Sequence, residues 1–253
     1  MSGSFYESDR ALSEYLLFHF GSPDEILPYP FGPSEALQFP ARCVTECLDP
    51  KGLPSNSRAL DLGCAVGRST FELARCCKEV IGIDYSHRFV EIADHLRREG
   101  SIAFRYAEEG ALTSPSVATV PVSIDRQRVS FEEGDAQNLR PDLGEFEVVL
   151  MANLIDRLPD PFRCLRRLPD LVRSGGQLII TSPYTWLSAY TPLENWLGGC
   201  LRDGRQVRTL DTLKEILQPA FRFSLAKNLP FLIREHARKY QWCVAEASVW
   251  IRT

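Results

Sequence analysis

RALDLGCAVGRSTFELA, Arg58–Ala74, is the stretch that decides the fold. Alternating apolar residues run into Asp61-Leu62-Gly63, a second glycine follows at Gly67, and helical spacing begins after it. Glycine lets a backbone turn sharply and a ligand come close. A strand, a glycine turn and a helix in that order frame a nucleotide-like ligand. The dinucleotide fingerprint is G-x-G-x-x-G. Here Gly63 and Gly67 enclose Cys64-Ala65-Val66, so the first glycine pair is missing, which counts against a nicotinamide cofactor. Asp61 also sets a carboxylate at the strand tip, where it repels phosphate and suits an ammonium group.

Two further strand tips extend the pattern. EVIGID ends at Asp84, where a carboxylate can hold two ribose hydroxyls, and RVSFEEGD ends at Asp135, within reach of an adenine amino group. Three carboxylates on three successive tips suit an adenosine ligand without phosphates, and S-adenosylmethionine is such a ligand. Each residue alone has a plainer reading: Asp61 as a helix cap, Asp84 as a turn former, Gly134-Asp135 as a loop. Their order on the strands is what favours the ligand.

The chain of 253 residues is long enough for one large α/β domain, and its net charge of −4 gives no global basic field for nucleic acid or an anionic membrane. The start, MSGSFYESDRALSEYLL, lacks a basic n-region followed by an apolar run, and no apolar stretch approaches a bilayer span. Eight cysteines without paired C-x-x-C spacing, and four scattered histidines, read as reduced thiols and no metal site. The expected compartment is the cytoplasm.

Apolar periodicity predicts helices over 5–20, 40–48, 68–77, 88–99, 162–172 and 210–217. Strands are expected at RALDLG, EVIGID, RVSFEEGD, FEVVLMANL and QLIITSPY, the last after an SGG turn, and then at FRFSLAKNL and YQWCVAEASVWIR. This alternation predicts a mostly parallel sheet with helices on both faces, and the short polar link between the last two strands predicts a terminal antiparallel hairpin. Residues 101–127 read as an insertion, residues 1–50 as a helical cap or lid, and 51–253 as the core of a single domain.

LDLGCAVG, VIGID, EEGDA and VVLMANLIDRL resemble the successive motifs of class I S-adenosylmethionine-dependent methyltransferases over roughly residues 58–183. The resemblance implies a Rossmann-like, seven-stranded sheet. It implies cofactor contacts at Asp61, Gly63, Gly67, Asp84 and Asp135, with their neighbours Cys64, Tyr85 and Ala136, and at Asn153 and Leu154. Beyond these motifs, FYESDRALSEYLLFHFG, ALQFPARCVTECLD, ANLIDRLPDP, GGQLIITSPYTWL, ENWLGG and LPFLIREHARKYQW resemble the 4-mercaptohistidine methyltransferase family of ovothiol biosynthesis. That likeness runs nearly end to end. It implies methylation of the ring nitrogen nearest the side chain of 5-thiohistidine, giving ovothiol A and S-adenosylhomocysteine. The iron-dependent synthase portion of many members is absent from this sequence, so the carbon–sulfur steps would fall to a separate sulfoxide synthase and lyase.

Three segments are expected at the carboxyl ends of the strands, where ligands sit in open α/β sheets. They supply Tyr184, Trp186, Tyr190, Glu194 and Trp196; Arg234, Glu235, His236, Arg238 and Lys239; and Asn153, Asp156 and Arg157. Asp156 and His236 are candidate proton acceptors, Arg234 a candidate partner for a carboxylate or thiolate, and Tyr6, Arg10 and Tyr15 candidate lid residues. The plainer reading makes the aromatics a packed lid and the basic run a solvated hairpin tip. A methyltransferase for another small zwitterionic or aromatic acceptor, or a cofactor-binding module without catalysis, is the alternative.

Overall fold

The computed structural model describes residues 6–253, so Phe5 at the head of the expected first helix lies outside the described residues. Seven strands form the main sheet: β1 (Arg58–Leu62), β2 (Glu79–Asp84), β5 (Val129–Glu133), β6 (Phe146–Ala152), β7 (Val172–Ser182), β10 (Phe221–His236) and β11 (Lys239–Arg252). Their spatial order is β10-β11-β7-β6-β1-β2-β5. The five strands from β5 to β7 run parallel, and β11 and β10 are antiparallel at one end, as expected.

The reason is visible in β6. FEVVLMA is buried at every position but its last, the continuous apolar run of a strand covered on both faces. One face carries a core that includes Phe39, Phe71 and Phe89, the other a core that includes Phe146, Phe221 and Trp250. Strand order reverses between β1 and β6, and that switch point opens the cavity described below. No described helix is long and apolar enough to cross a membrane.

Several elements differ from their expected bounds. The helix expected over 162–172 spans Pro161–Arg167 and tightens to a 3₁₀ turn at Leu168–Asp170, where Pro169 has no N–H for the helix ladder. The SGG expected as a turn lies inside β7. Pairing with β6 jumps from Val172 to Gln177, and Gly175, at φ +79°, carries the bulge. The helix expected over 68–77 is Arg68–Leu73, followed by tight turns.

The insertion is a β-hairpin, β3 (Ser101–Glu109) and β4 (Leu112–Thr119), with the φ of Gly110 at +56° in its turn. LPFLIREHARKYQW is not a connecting loop: β10 and β11 continue through it and close at Ala237-Arg238. A further hairpin, β8 (Cys200–Arg202) and β9 (Arg205–Val207), turns on Asp203-Gly204 with both residues left-handed, the turn that Asp-Gly favours.

The β3–β4 hairpin is bound to the helix Asp9–Phe20 through the Ser13 hydroxyl, which donates to the Arg105 carbonyl. It is bound to the tip of β10 through the Ala237 N–H and the Glu108 carbonyl, 3.1 Å. Arg234 closes this corner. Its side chain is buried, donates to the Glu25 carbonyl and to the Glu108 carboxylate at 2.5 Å, and lies 5.0 Å from the centre of the Tyr106 ring. Removing one partner of a buried pair strands the other, so Arg234→Ala should lower stability by about 3 kcal/mol. Urea unfolding followed by circular dichroism measures it; a loss under about 1 kcal/mol would mean the corner is held by something else.

Candidate functional site

A cavity of about 510 Å³ opens at the carboxyl ends of β1, β2, β5 and β6. Its floor is the turn after β1. Gly63, Ala65 and Gly67 all have positive φ, at +74°, +47° and +88°. A Cβ on Gly63 would stand 2.9 Å from Leu154, and one on Gly67 would stand 2.5 Å from Phe131, so both positions require glycine for space as well as conformation. The N–H groups of Gly63 and Cys64 donate to the Ile83 carbonyl, which fastens the turn to β2.

The three strand-tip carboxylates occupy different depths. Asp84 lines the cavity; its oxygens accept the N–H of Ala65 at 2.8 Å and of Ser86 at 2.9 Å. Burial raises its pKa, and those two bonds oppose the rise. Asp135 also lines the cavity and accepts from the N–H and side-chain amide of Gln137. Asp61 lies beneath the turn, fully buried. One oxygen accepts from the Thr70 hydroxyl at 2.7 Å and the other has no partner. Burial pushes its pKa up to about 7, the Thr70 bond opposes this, and the charge of Asp84 adds to it. A buried carboxylate with one unpartnered oxygen below a glycine cradle fits a cationic group arriving from above.

The opposite wall comes from the N-terminal segment. Tyr15, Phe18 and His19 project from one face of the Asp9–Phe20 helix, and Tyr6 meets Tyr15, Phe89 and Tyr190 edge-on or tilted at 6.0–6.5 Å between ring centres. The backbone that carries Tyr6 and Glu7 is held from Ser86, just after Asp84, and from the first turn of the helix His87–Glu99. Ser86 donates its hydroxyl to the Tyr6 carbonyl, and Arg88 donates to the Glu7 carbonyl and to Asp9. Burial raises the Tyr6 hydroxyl to about 12 and pushes Tyr15 well up. Both stay protonated and act as donors. His19 is pushed down to about 3 by burial and by nearby Arg68, and its Nδ1 accepts the Arg68 N–H at 3.4 Å.

Of the residues singled out in the sequence, Gly63, Cys64, Asp84, Tyr85, Asp135, Ala136, Asn153, Leu154, Tyr6, Tyr15 and Arg157 line this cavity. Asn153, at φ +53°, is oriented by Thr181, whose hydroxyl donates to its side-chain oxygen. The others lie elsewhere. Asp156 is buried behind the wall, accepting from Arg157 Nη1 and the Thr185 N–H. His236 is at the turn of the β10–β11 hairpin, accepting the Arg238 N–H, and Arg234 is in the corner described above.

Arg10 pairs with Glu14 and Glu235, and Glu194 is exposed. Trp186 and Trp196 stack 6.4 Å apart, their indole N–H groups given to Thr209 and the Thr191 carbonyl, so this pair is loop core. Tyr184 donates to Glu246 in a separate groove beside β8 and β9. Tyr190, expected from the segment after the fifth strand, also lines the cavity, and His19 and Ala65 belong to the site although the sequence did not single them out for it. For His19 the signal was present: it stands four residues after Tyr15, on the same helix face.

Residues 34–220 match the family model described as "Methyltransferase domain". Among curated proteins, the ubiquinone biosynthesis O-methyltransferase of Aromatoleum aromaticum is 27% identical over 137 residues, which is 54% of this chain and 48% of that protein. The enzyme of that name from Ralstonia nicotianae is 26% identical over 136 residues, 54% and 47% of the two chains. The chain thus spans about half the length of the curated relatives it matches.

Among solved structures, the [4+2]-cyclase SpnF covers 98% of this chain and 95% of its own at TM-score 0.57 and 16% identity. A SAM-dependent methyltransferase from Methanosarcina mazei covers 79% and 93% at TM-score 0.53 and 17% identity. At those identities the likeness is one of fold. The family match spans the glycine turn and the five parallel strands of the sheet, and by it the chain belongs to the class I S-adenosylmethionine-dependent methyltransferases.

Proposed function

We propose that this protein methylates the imidazole nitrogen nearest the side chain of 5-thiohistidine, giving ovothiol A. One observation carries the reading. Three of the segments that resemble the ovothiol family beyond the general motifs supply lining residues of the cavity: Tyr6 and Tyr15 from FYESDRALSEYLLFHF, Phe39 and Pro40 from ALQFPARCVTECLD, and Ile233 from LPFLIREHARKYQW.

The cofactor end fits S-adenosylmethionine. Asp61 answers the ammonium group, Asp84 the ribose and Asp135 the adenine. Bound there, the cofactor supplies an electrophilic methyl carbon. The protein's share is alignment and exclusion of water. A cavity of about 510 Å³ that must hold both molecules favours a small acceptor.

With the cofactor bound, the ring nitrogen would take its methyl group, S-adenosylhomocysteine would be left, and the proton borne by the ring would go to solvent. The tyrosines hold their own protons, and His19 keeps its ring neutral with Nδ1 already accepting. None of them takes the substrate's proton. Selection of the tautomer with a free nitrogen lone pair replaces general-base catalysis, and Asp156 and His236, away from the cavity, are not needed as bases.

Incubation with S-adenosylmethionine and 5-thiohistidine, histidine or a catechol, read by mass spectrometry, tests the reading. Thiohistidine alone should gain one methyl group, with S-adenosylhomocysteine formed. Methylation of the catechol alone would move the protein to the O-methyltransferases.

The buried Asp61 gives a second expectation. Its carboxyl carries a proton below about pH 7, and only the charged form answers an ammonium group. Affinity for S-adenosylhomocysteine should rise with pH by up to about tenfold per unit below that pH and level off above it, with proton release on binding. Calorimetry in buffers of different ionisation enthalpy measures both. Asp61→Asn should abolish the pH dependence; an unchanged slope in that variant would assign it to another group.

A further inference from the structure

Arg157 is the only Arg or Lys among the described residues that line the cavity. Its donors are divided by the fold. Nη1 donates to the Asp156 carbonyl at 2.9 Å, to the Asp156 carboxylate at 2.9 Å and to the Thr185 carbonyl at 3.0 Å. Among the described residues Nε and Nη2 have no hydrogen-bond partner, and the guanidinium face lies 4.9 Å from the centre of the Tyr190 ring. Beside it, Tyr6 shares hydrogen bonds with both Tyr190 and Tyr15. The cavity's carboxylates, Glu7, Asp84 and Asp135, come from the loop that follows Tyr6 and from the tips of β2 and β5.

We infer that the Nε–Nη2 edge of Arg157 is a carboxylate site that grips the α-carboxylate of an amino-acid acceptor, and that Asp156 is a positioning residue that turns this edge toward the cavity. The inference rests on the acceptor reading above. An arginine edge offers two parallel N–H groups, which match the two oxygens of a carboxylate. Fixing Nη1 on three acceptors leaves that edge as the remaining donor pair.

Asp156 accepts Nη1 and the Thr185 N–H through the same oxygen, so it fixes Arg157 against the loop that carries Tyr190. Its carboxyl is raised by burial and opposed by Arg157, as for a charge held in place by its partner. The site distinguishes an amino acid from the same ring without its carboxylate, and from a neutral phenol.

The test uses the full chain saturated with S-adenosylhomocysteine and titrated by calorimetry with 5-thiohistidine and with its decarboxylated amine. The wild type should bind the amino acid at least about thirtyfold more tightly, the scale of a desolvated charge pair. Arg157→Met should bring the two ligands within about threefold of each other, Arg157→Lys should fall between, and affinity for S-adenosylhomocysteine should hold in both. Asp156→Asn should lower the ratio while binding of the amine is unchanged, which a general loss of structure would not do. An undiminished ratio in Arg157→Met overturns the inference.

Turnover of 5-thiohistidine is measured separately. Normal turnover with an undiminished ratio leaves the acceptor reading standing without the carboxylate site. No turnover, with a ratio that collapses in the variant, leaves the carboxylate site standing without that acceptor. Failure of both ligands to bind the wild type overturns both.

Discussion

The contact between the Asp84 carboxylate and the Ala65 N–H, 2.8 Å long, is the constraint on which the site depends. Ala65 is left-handed, a conformation that costs an alanine about 1 kcal/mol. The carboxylate offsets that cost by accepting the N–H that the turn exposes. The same carboxylate ends β2 beside the turn, so one interaction sets the shape of the floor and the position of its acidic group. The flanking glycines follow from it, because Phe131 and Leu154 close in on the turn from either side. Substitution of Asp84 would release the turn as well as remove a charge.

The fold was legible where the chemistry is local and repetitive. Apolar runs such as FEVVLMA and the glycine turn specify buried parallel strands and their crossovers, and the observed strand order follows. What was not legible depends on contacts between distant segments. LPFLIREHARKYQW reads as a loop because its charges interrupt the apolar pattern, yet Arg234 is neutralised by Glu108 from the inserted hairpin, and the strand continues. Glu108 lies 126 positions away, and no spacing rule links them. SGG reads as a turn by composition and is a bulge, because the partner strand β6 keeps pairing on either side of it.

The candidate site shows the same division. Residues on the strand tips were found because topology places them there. The second wall was half found: Tyr6 and Tyr15 belong to it, whereas Trp186 and Trp196 stack on each other and satisfy their N–H groups within the loop. Composition cannot tell an aromatic that lines a pocket from one that packs a loop. The deciding fact is which segment the ring packs against, and only the tertiary fold sets that. Tyr184, bonded to Glu246, lines the groove beside β8 and β9, whereas Arg157 lines the cavity.

The fastening of the Tyr6–Asp9 stretch by Ser86 and Arg88 joins the two ends of the cavity through one short loop and the first turn of the helix it leads into. That loop begins at Asp84, on the floor, and with the helix turn holds the backbone that carries the aromatic wall. The energetic effects of substitutions there are therefore not separable. A change at Ser86 or Arg88 shifts floor and wall together, and its effect does not simply add to that of a change at Tyr6 or Asp84. Within this stretch the free energies of holding the two ligands form one coupled quantity, although no residue need touch both.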